Sequence, residues 1–183
     1  MSRRPVAAAM ERRRSQPAVT DRAPSDRRLR KLLRAAGGVA DHGGLRPWRV
    51  IALRGDARDR LGAALAESAG LTGPAAAKLA AKPLRAPLLL AVVVSPKPSR
   101  KAPDWEQEAV AAGVAHALSL VLDEDGWGVM WRTGEHTRTE PVHRMHRLAP
   151  DERLLGWLYV GGRRDDRRKP RRPIRARDHL TAL

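Results

Sequence analysis

Apolar positions recur at helical spacing in some stretches of this chain and alternate or run together in others, and these two rhythms divide it into elements. The first helical stretch, around Val6–Arg13, is short and is broken by the Gln16-Pro17 pair. A better marked helix follows. Ser25 can cap it, Leu29, Leu32, Leu33 and Ala36 fall on one side, and Gly37-Gly38 end it. After the loop Val39–Pro47, Trp48–Leu53 alternates like a strand, and Asp56–Ser68 sets Leu61 and Leu65 on one helical face. Ala75–Ala81 predicts another short helix, while Leu88–Val94 is a continuous apolar run suited to a strand covered on both faces, central in its sheet. The proline- and lysine-rich loop Ser95–Pro103 reads as an exposed excursion. From Asp104 to Asp123, Val110, Val114, Ala117, Leu118 and Val121 are joined by alanines around the circumference, predicting a long central helix buried on most sides. Strand Trp127–Arg132, a short helix near Pro141–Arg147, strand Leu154–Val160 and a basic, proline-containing tail complete the order.

Four strands among five or six helices argue an α+β layer. With 183 residues the chain can bury a sizeable core without metal or disulfide staples. One domain over residues 1–183 is therefore expected, with residues 1–24 an N-terminal arm and residues 163–183 a basic tail, extended or bound to a partner. Cysteine is absent, which excludes a disulfide framework, thiolate catalysis and Cys-ligated metal. The apolar stretch Val6–Met10 after the basic start is too short for a secretory core. Ala86–Val94, interrupted by Pro87, falls far short of the roughly 20 residues of a membrane span. These features predict a cytoplasmic protein with no membrane partner.

The net charge of +16 is concentrated at the ends. Residues 1–34 hold eleven Arg or Lys against three acids, and residues 163–183 hold nine against three, so the middle is nearly balanced. Basic ends can grip a cofactor phosphate, attract nucleic acid, or remain solvated surface, and composition does not choose among them.

Familiar signatures fail in context. There is no GxxxxGK loop; Gly126-Trp127-Gly128 has Trp131 where a third glycine would stand and enters a strand rather than opening a helix, which argues against a Rossmann domain. GxSxG is missing, and Ser119 sits inside the long helix, so a serine hydrolase is not expected. His143 and His146 could face one way on a helix but have no carboxylate completing a metal set, and His116 reads as a core or interface histidine.

Three stretches carry chemistry together. Arg13, Arg14 and Ser15 offer forked donors and a hydroxyl to a phosphate. Ala40–Trp48 (ADHGGLRPW) is a glycine loop entering a strand, and Gly126–Gly134 (GWGVMWRTG) is a glycine-rich strand whose amides can meet the polar edge of a flat ring. In order and spacing, with RAPLLLAVVV and DWEQE between the last two, they resemble the nitroreductase family in its short, minimal form, over roughly residues 10–162. The resemblance implies a dimeric, FMN-dependent α+β fold with a central mixed sheet of four to five strands flanked by helices. It also implies an NAD(P)H-dependent oxidoreductase that passes hydride through FMN to small electron-poor acceptors, nitroaromatic or quinone-like, by a ping-pong mechanism. The cofactor contacts it implies are Arg13, Arg14, Ser15, Gly38 and His42, with Trp131, Arg132 and Thr133 contributed from the opposite side of a homodimer. FMN carries the reaction in such a scheme, so no acid–base pair, catalytic side chain or metal is expected. Arg132 or an N-terminal Arg is the expected cation beside the flavin's N1–O2 edge. Three positions depart from the family pattern: Ala40 replaces the opening Pro, Gly44 the Asn and Arg46 the Gln.

Two other readings stand beside this one. A nucleic-acid-binding protein would use the arginine-rich ends, but aromatics for base stacking are scarce, with no Phe, one Tyr and five Trp. A flavin-binding protein without turnover would keep the fold and explain the altered loop.

Overall fold

The computed structural model describes residues 5–164 and 174–182. Four strands form the sheet: β1 (Trp48–Leu53), β2 (Leu88–Val94), β3 (Trp127–Arg132) and β4 (Arg153–Gly162). Their order is β1-β2-β4-β3. Seven consecutive apolar side chains cannot be hidden on one side of a strand, and β2 is buried along its whole length between β1 and β4. The α+β class holds, but all pairings are antiparallel where a mixed sheet was expected. A doubly covered strand has the same apolar run in either direction, so the local pattern carries no information about its neighbours' direction.

Helices cover both faces. On one, α3 (Asp56–Ser68) and α6 (Glu140–His146) pack through Leu61, Leu65 and Val142 onto Leu89, Trp157 and Tyr159. On the other, α2 (Asp26–Ala36) and α5 (Asp104–Glu124) pack through Leu32, Ala36 and Leu118 onto Leu90, Val92 and Leu158. Ser25 caps α2 as expected, its side chain accepting from Arg28 N–H at 3.3 Å. The predicted helix at Ala75–Ala81 begins earlier, as α4 (Gly73–Ala80), because Pro74 suits a first turn whose N–H groups have no intrahelical acceptor. The first helix is α1 (Pro5–Arg12).

The long helix α5 is buried or half-buried on most sides, as expected, but one stripe is open. Val110, Ala111, Val114, Leu118 and Leu122 face the sheet, whereas Ala109 and His116 are exposed and Trp105 is 70% exposed. Among the described residues no helix is long and apolar enough to cross a membrane. Of the basic tail, residues 165–173 and 183 lie outside the described residues; Ala176–Asp178 makes one 3-10 turn, and Ile174 and Leu180 are exposed.

Candidate functional site

The residues after α1 lie against β3. Gln16 N–H donates to Val129 O at 2.9 Å, and Thr20 N–H donates to Gly162 O, also at 2.9 Å. Gly162 faces Trp127 across the sheet, so the arm runs antiparallel to β3 and Ser15 precedes it on the Trp131 side. The close approach depends on glycine. A Cβ at Gly128 would stand 2.8 Å from Val19 Cγ1, and one at Gly161 would stand 2.5 Å from Val19 Cγ2. The bare surface of Gly128 is thus occupied by the chain's own arm rather than left open to a flat ligand. Arg13 and Arg14 are half-buried and Ser15 exposed. Arg14 Nη1 spends its hydrogen bonds on the carbonyls of Glu11 and Arg13, while the Arg13 guanidinium meets no carboxylate among the described residues.

Strand alternation divides the WRT segment. Trp131 shares a face with α5, its ring 5.0 Å from that of His116 in an edge-on contact. Arg132 lies on the other face, its guanidinium 5.2 Å from the centre of the Tyr159 ring. Burial pushes the Tyr159 hydroxyl above its usual range, and the nearby charges of Arg132 and Arg85 partly oppose this. Gly156, at φ 140, makes room for the indole: a Cβ there would stand 2.8 Å from Trp131 Nε1 and 2.4 Å from Arg132 O. Two buried donors in this segment, Trp131 Nε1 and Arg132 Nε, have no acceptor among the described residues. Such groups are costly unless something supplies one.

The second cluster is the loop after α2. Gly38 N–H donates to Ala35 O at 3.2 Å, and Val39 rests on Gly113 of α5. His42 opens a 3-10 turn and donates from Nδ1 to Glu106 Oε2 at 2.8 Å. Gly43 and Gly44 have φ of 78 and 62, so the glycine at 44 relieves a left-handed conformation that Asn, the residue of the family pattern, is the next best at tolerating. Asp41 braces the turn, its carboxylate accepting from Leu45 N–H at 3.2 Å and Arg46 N–H at 2.7 Å. His42, Glu106, Trp105 and Gly113 line a groove of about 630 Å³. Trp105 and Glu106 were not anticipated as site residues from sequence, where DWEQE entered only as the start of the long helix within the family pattern.

The arm and the His42 loop are anchored at opposite ends of α5, with Trp131 between them against His116. His42 pairs with Glu106 in its first turn, and Arg12 pairs with Glu124 at its last residue. At roughly 1.5 Å rise per residue these anchors stand about 27 Å apart. The fold therefore brings Arg13, Arg14 and Ser15 toward the strand carrying Trp131, Arg132 and Thr133, and holds His42 far from the arm.

The helix histidines are structural. His146 donates from Nδ1 to Val142 O at 2.7 Å and accepts at Nε2 from Trp157 Nε1 at 3.0 Å, while His143 Nε2 donates to Thr137 O at 2.9 Å. Among the described residues no group of His, Asp and Glu could hold a metal ion.

Comparison with known proteins agrees with this architecture. The family model described as Nitroreductase family matches residues 10–162. "Putative NAD(P)H nitroreductase YdjA" of Escherichia coli (strain K12) is 32% identical over 152 residues, 81% of this chain and 83% of that protein. A nitroreductase-like family protein from Bacillus cereus superposes with a TM-score of 0.81 at 24% identity, covering 97% of this chain and 95% of the other. The FMN and NADPH-dependent nitroreductase NfnB from Sphigopyxis sp. strain HMH superposes with a TM-score of 0.73 at 20% identity, covering 97% of each chain. With the motif order, the sheet and the matched span in agreement, this chain belongs to the nitroreductase family.

Proposed function

We propose that this protein is an FMN-dependent oxidoreductase that works as a homodimer, with two equivalent sites built across the subunit interface. The observation that carries the reading is the separation of the arm from the His42 loop, whose anchors lie about 27 Å apart along α5. A two-fold axis that sets the exposed faces of two α5 helices antiparallel places the His42 end of one against the arm end of the other. Each site then takes Arg13, Arg14, Ser15, Trp131, Arg132 and Thr133 from one protomer and Gly38 and His42 from its partner. This grouping differs from the one the family resemblance implied, in which arm and loop served from the same chain.

The donor set fits FMN. Arg13 has an uncommitted guanidinium and Ser15 an exposed hydroxyl, suited to a phosphate ester. Trp131 Nε1 and Arg132 Nε are buried donors awaiting acceptors, of which the flavin's pyrimidine edge has several. Arg132 could meet that edge only near the end of β3, because its side chain leaves the sheet on the face opposite Trp131. His42, held through Nδ1 by Glu106, lines the groove and has its other ring nitrogen to offer. When bound, FMN would supply two-electron transfer in alternating half-reactions, from NADH or NADPH and then to a small nitroaromatic or quinone-like acceptor. The protein's part is to position and to stabilise developing negative charge.

The visible absorption spectrum of the purified protein tests this, followed in the same cuvette by anaerobic NADPH and then NADH. A flavin spectrum that bleaches on addition is expected. A colourless protein that takes up no added FMN would overturn the reading, and a flavin that neither coenzyme reduces would leave only a binding protein.

A further inference from the structure

The loop 95–103 between β2 and α5 is held in place by a buried side chain. Gln107, 2% exposed, accepts from Lys97 N–H at 2.8 Å and donates to Lys97 O at 2.9 Å and Ala102 O at 3.0 Å. Ser99 Oγ accepts from Lys101 N–H at 3.2 Å and Ala102 N–H at 3.0 Å, turning the loop's tip. Ser95 N–H donates to Pro47 O at 2.8 Å, which ties the loop's base to the residue beside Arg46. Four exposed cations, Arg46, Lys97, Arg100 and Lys101, are thereby gathered at the end of the sheet where α5 begins, next to the groove of His42 and Trp105.

The acids in this region are already engaged. Glu106 pairs with His42, Asp104 and Glu108 with Arg153, Glu152 with Arg49, and Asp41 with two backbone N–H groups. The side chains of Arg46, Arg100 and Lys101 meet no hydrogen-bond or ion-pair partner among the described residues, and Lys97 Nζ reaches only Ser95 Oγ, at 3.4 Å. A group of unpaired cations on a loop braced by a buried amide is organised to receive an anion.

We infer that this cluster is a phosphate-monoester subsite at the rim of the groove, and that it recognises the 2′-phosphate of NADPH, giving that coenzyme preference over NADH. The inference rests on the oxidoreductase reading above for its choice of nucleotide. NADH lacks a phosphate at this position, so the cations discriminate between the two coenzymes by charge and leave their shared parts untouched.

Two measurements test it. Calorimetric titration of the purified protein with 2′,5′-ADP and with 5′-AMP needs no turnover and reads the 2′-phosphate alone; kcat/KM with each coenzyme reads its use. The 2′-phosphate nucleotide should bind about tenfold more tightly than 5′-AMP, the scale of two or three exposed charge contacts. In the Arg100→Ser/Lys101→Ser variant that advantage should vanish. Its kcat/KM for NADPH should fall to the level for NADH, with FMN affinity and the NADH reaction retained. Equal binding of both nucleotides by the wild type, or an unchanged NADPH preference in the variant, overturns the inference. Loss of FMN affinity in the variant also overturns it, by assigning the cations to the flavin phosphate. Discrimination between the nucleotides by a protein that oxidises neither coenzyme supports the subsite while defeating the oxidoreductase reading.

Discussion

At the scale of single residues, two buried groups give the protein a pH-dependent stability. Arg49 Nε and Nη2 donate to the two oxygens of Glu152 at 2.7 and 2.6 Å, and Ala149 N–H adds a third bond at 3.0 Å. These bonds, above all those from Arg49, hold the Glu152 carboxyl at about 2, below its usual 4.5. A folded value lower than the unfolded one stabilises above the unfolded value, so the contribution is complete above about 4.5 and is lost as pH falls toward 2. Glu152→Gln should therefore lower the urea unfolding free energy by about 2 kcal/mol at neutral pH, and its difference from wild type should shrink across that acid window. His146 behaves in the same sense for a different reason. Desolvation holds it below 6.5, so the unfolded chain takes up a proton there that the folded chain refuses, and stability declines as pH falls below that value. The decline should be shallower in His146→Gln, measured by denaturation between pH 7 and 5. Arg13, the uncommitted cation of the arm, belongs to the flavin reading: Arg13→Ala should weaken FMN about tenfold in equilibrium titration with no change in thermal stability of the apoprotein.

At the scale of elements, close approach decides what composition alone would misjudge. Gly62 lies inside α3, where propensity favours Ala by about 1 kcal/mol. Yet a Cβ there would stand 2.3 Å from Ala80 O at the end of α4, a backbone atom that cannot yield without moving the helix. The packing term wins, and Gly62→Ala should destabilise by about 2 kcal/mol in thermal or urea unfolding. The glycines of β3 and β4 follow the same logic. Read from sequence, the stretch Gly126–Gly134 promised close approach of a flat cofactor; in the fold its Gly128, with Gly161 of β4, admits Val19 and the arm, and Gly156 of β4 admits the Trp131 indole. The requirement for glycine was legible, but the identity of the visitor was not, since it comes from residues remote in the chain.

At the scale of the whole molecule, the homodimer proposed above would cover the exposed face of α5 and complete the divided site with a second copy of the chain. Ala109 lies on that face, beside the groove and pointing away from the sheet. Ala109→Arg should leave the far-ultraviolet circular dichroism intact while converting the dimer to a monomer that no longer retains FMN; light scattering and the flavin spectrum read the two effects. A variant that remains dimeric and yellow would show that this face is not the interface.

The sequence by itself determined the order of the elements, the double burial of Leu88–Val94, the capping of α2 by Ser25 and the motifs that resemble the nitroreductase family. Each of these acts over a few residues, through side-chain periodicity, capping or turn chemistry, and so is written locally. The tertiary structure alone decided the antiparallel direction of every strand pair and the span between the arm and His42 along α5. It also gathered Arg46 with Arg100 and Lys101, far apart in the chain, through Gln107 and the Ser95–Pro47 bond. These outcomes depend on which remote segments pack together, and a pattern of a few residues holds no record of its distant neighbours.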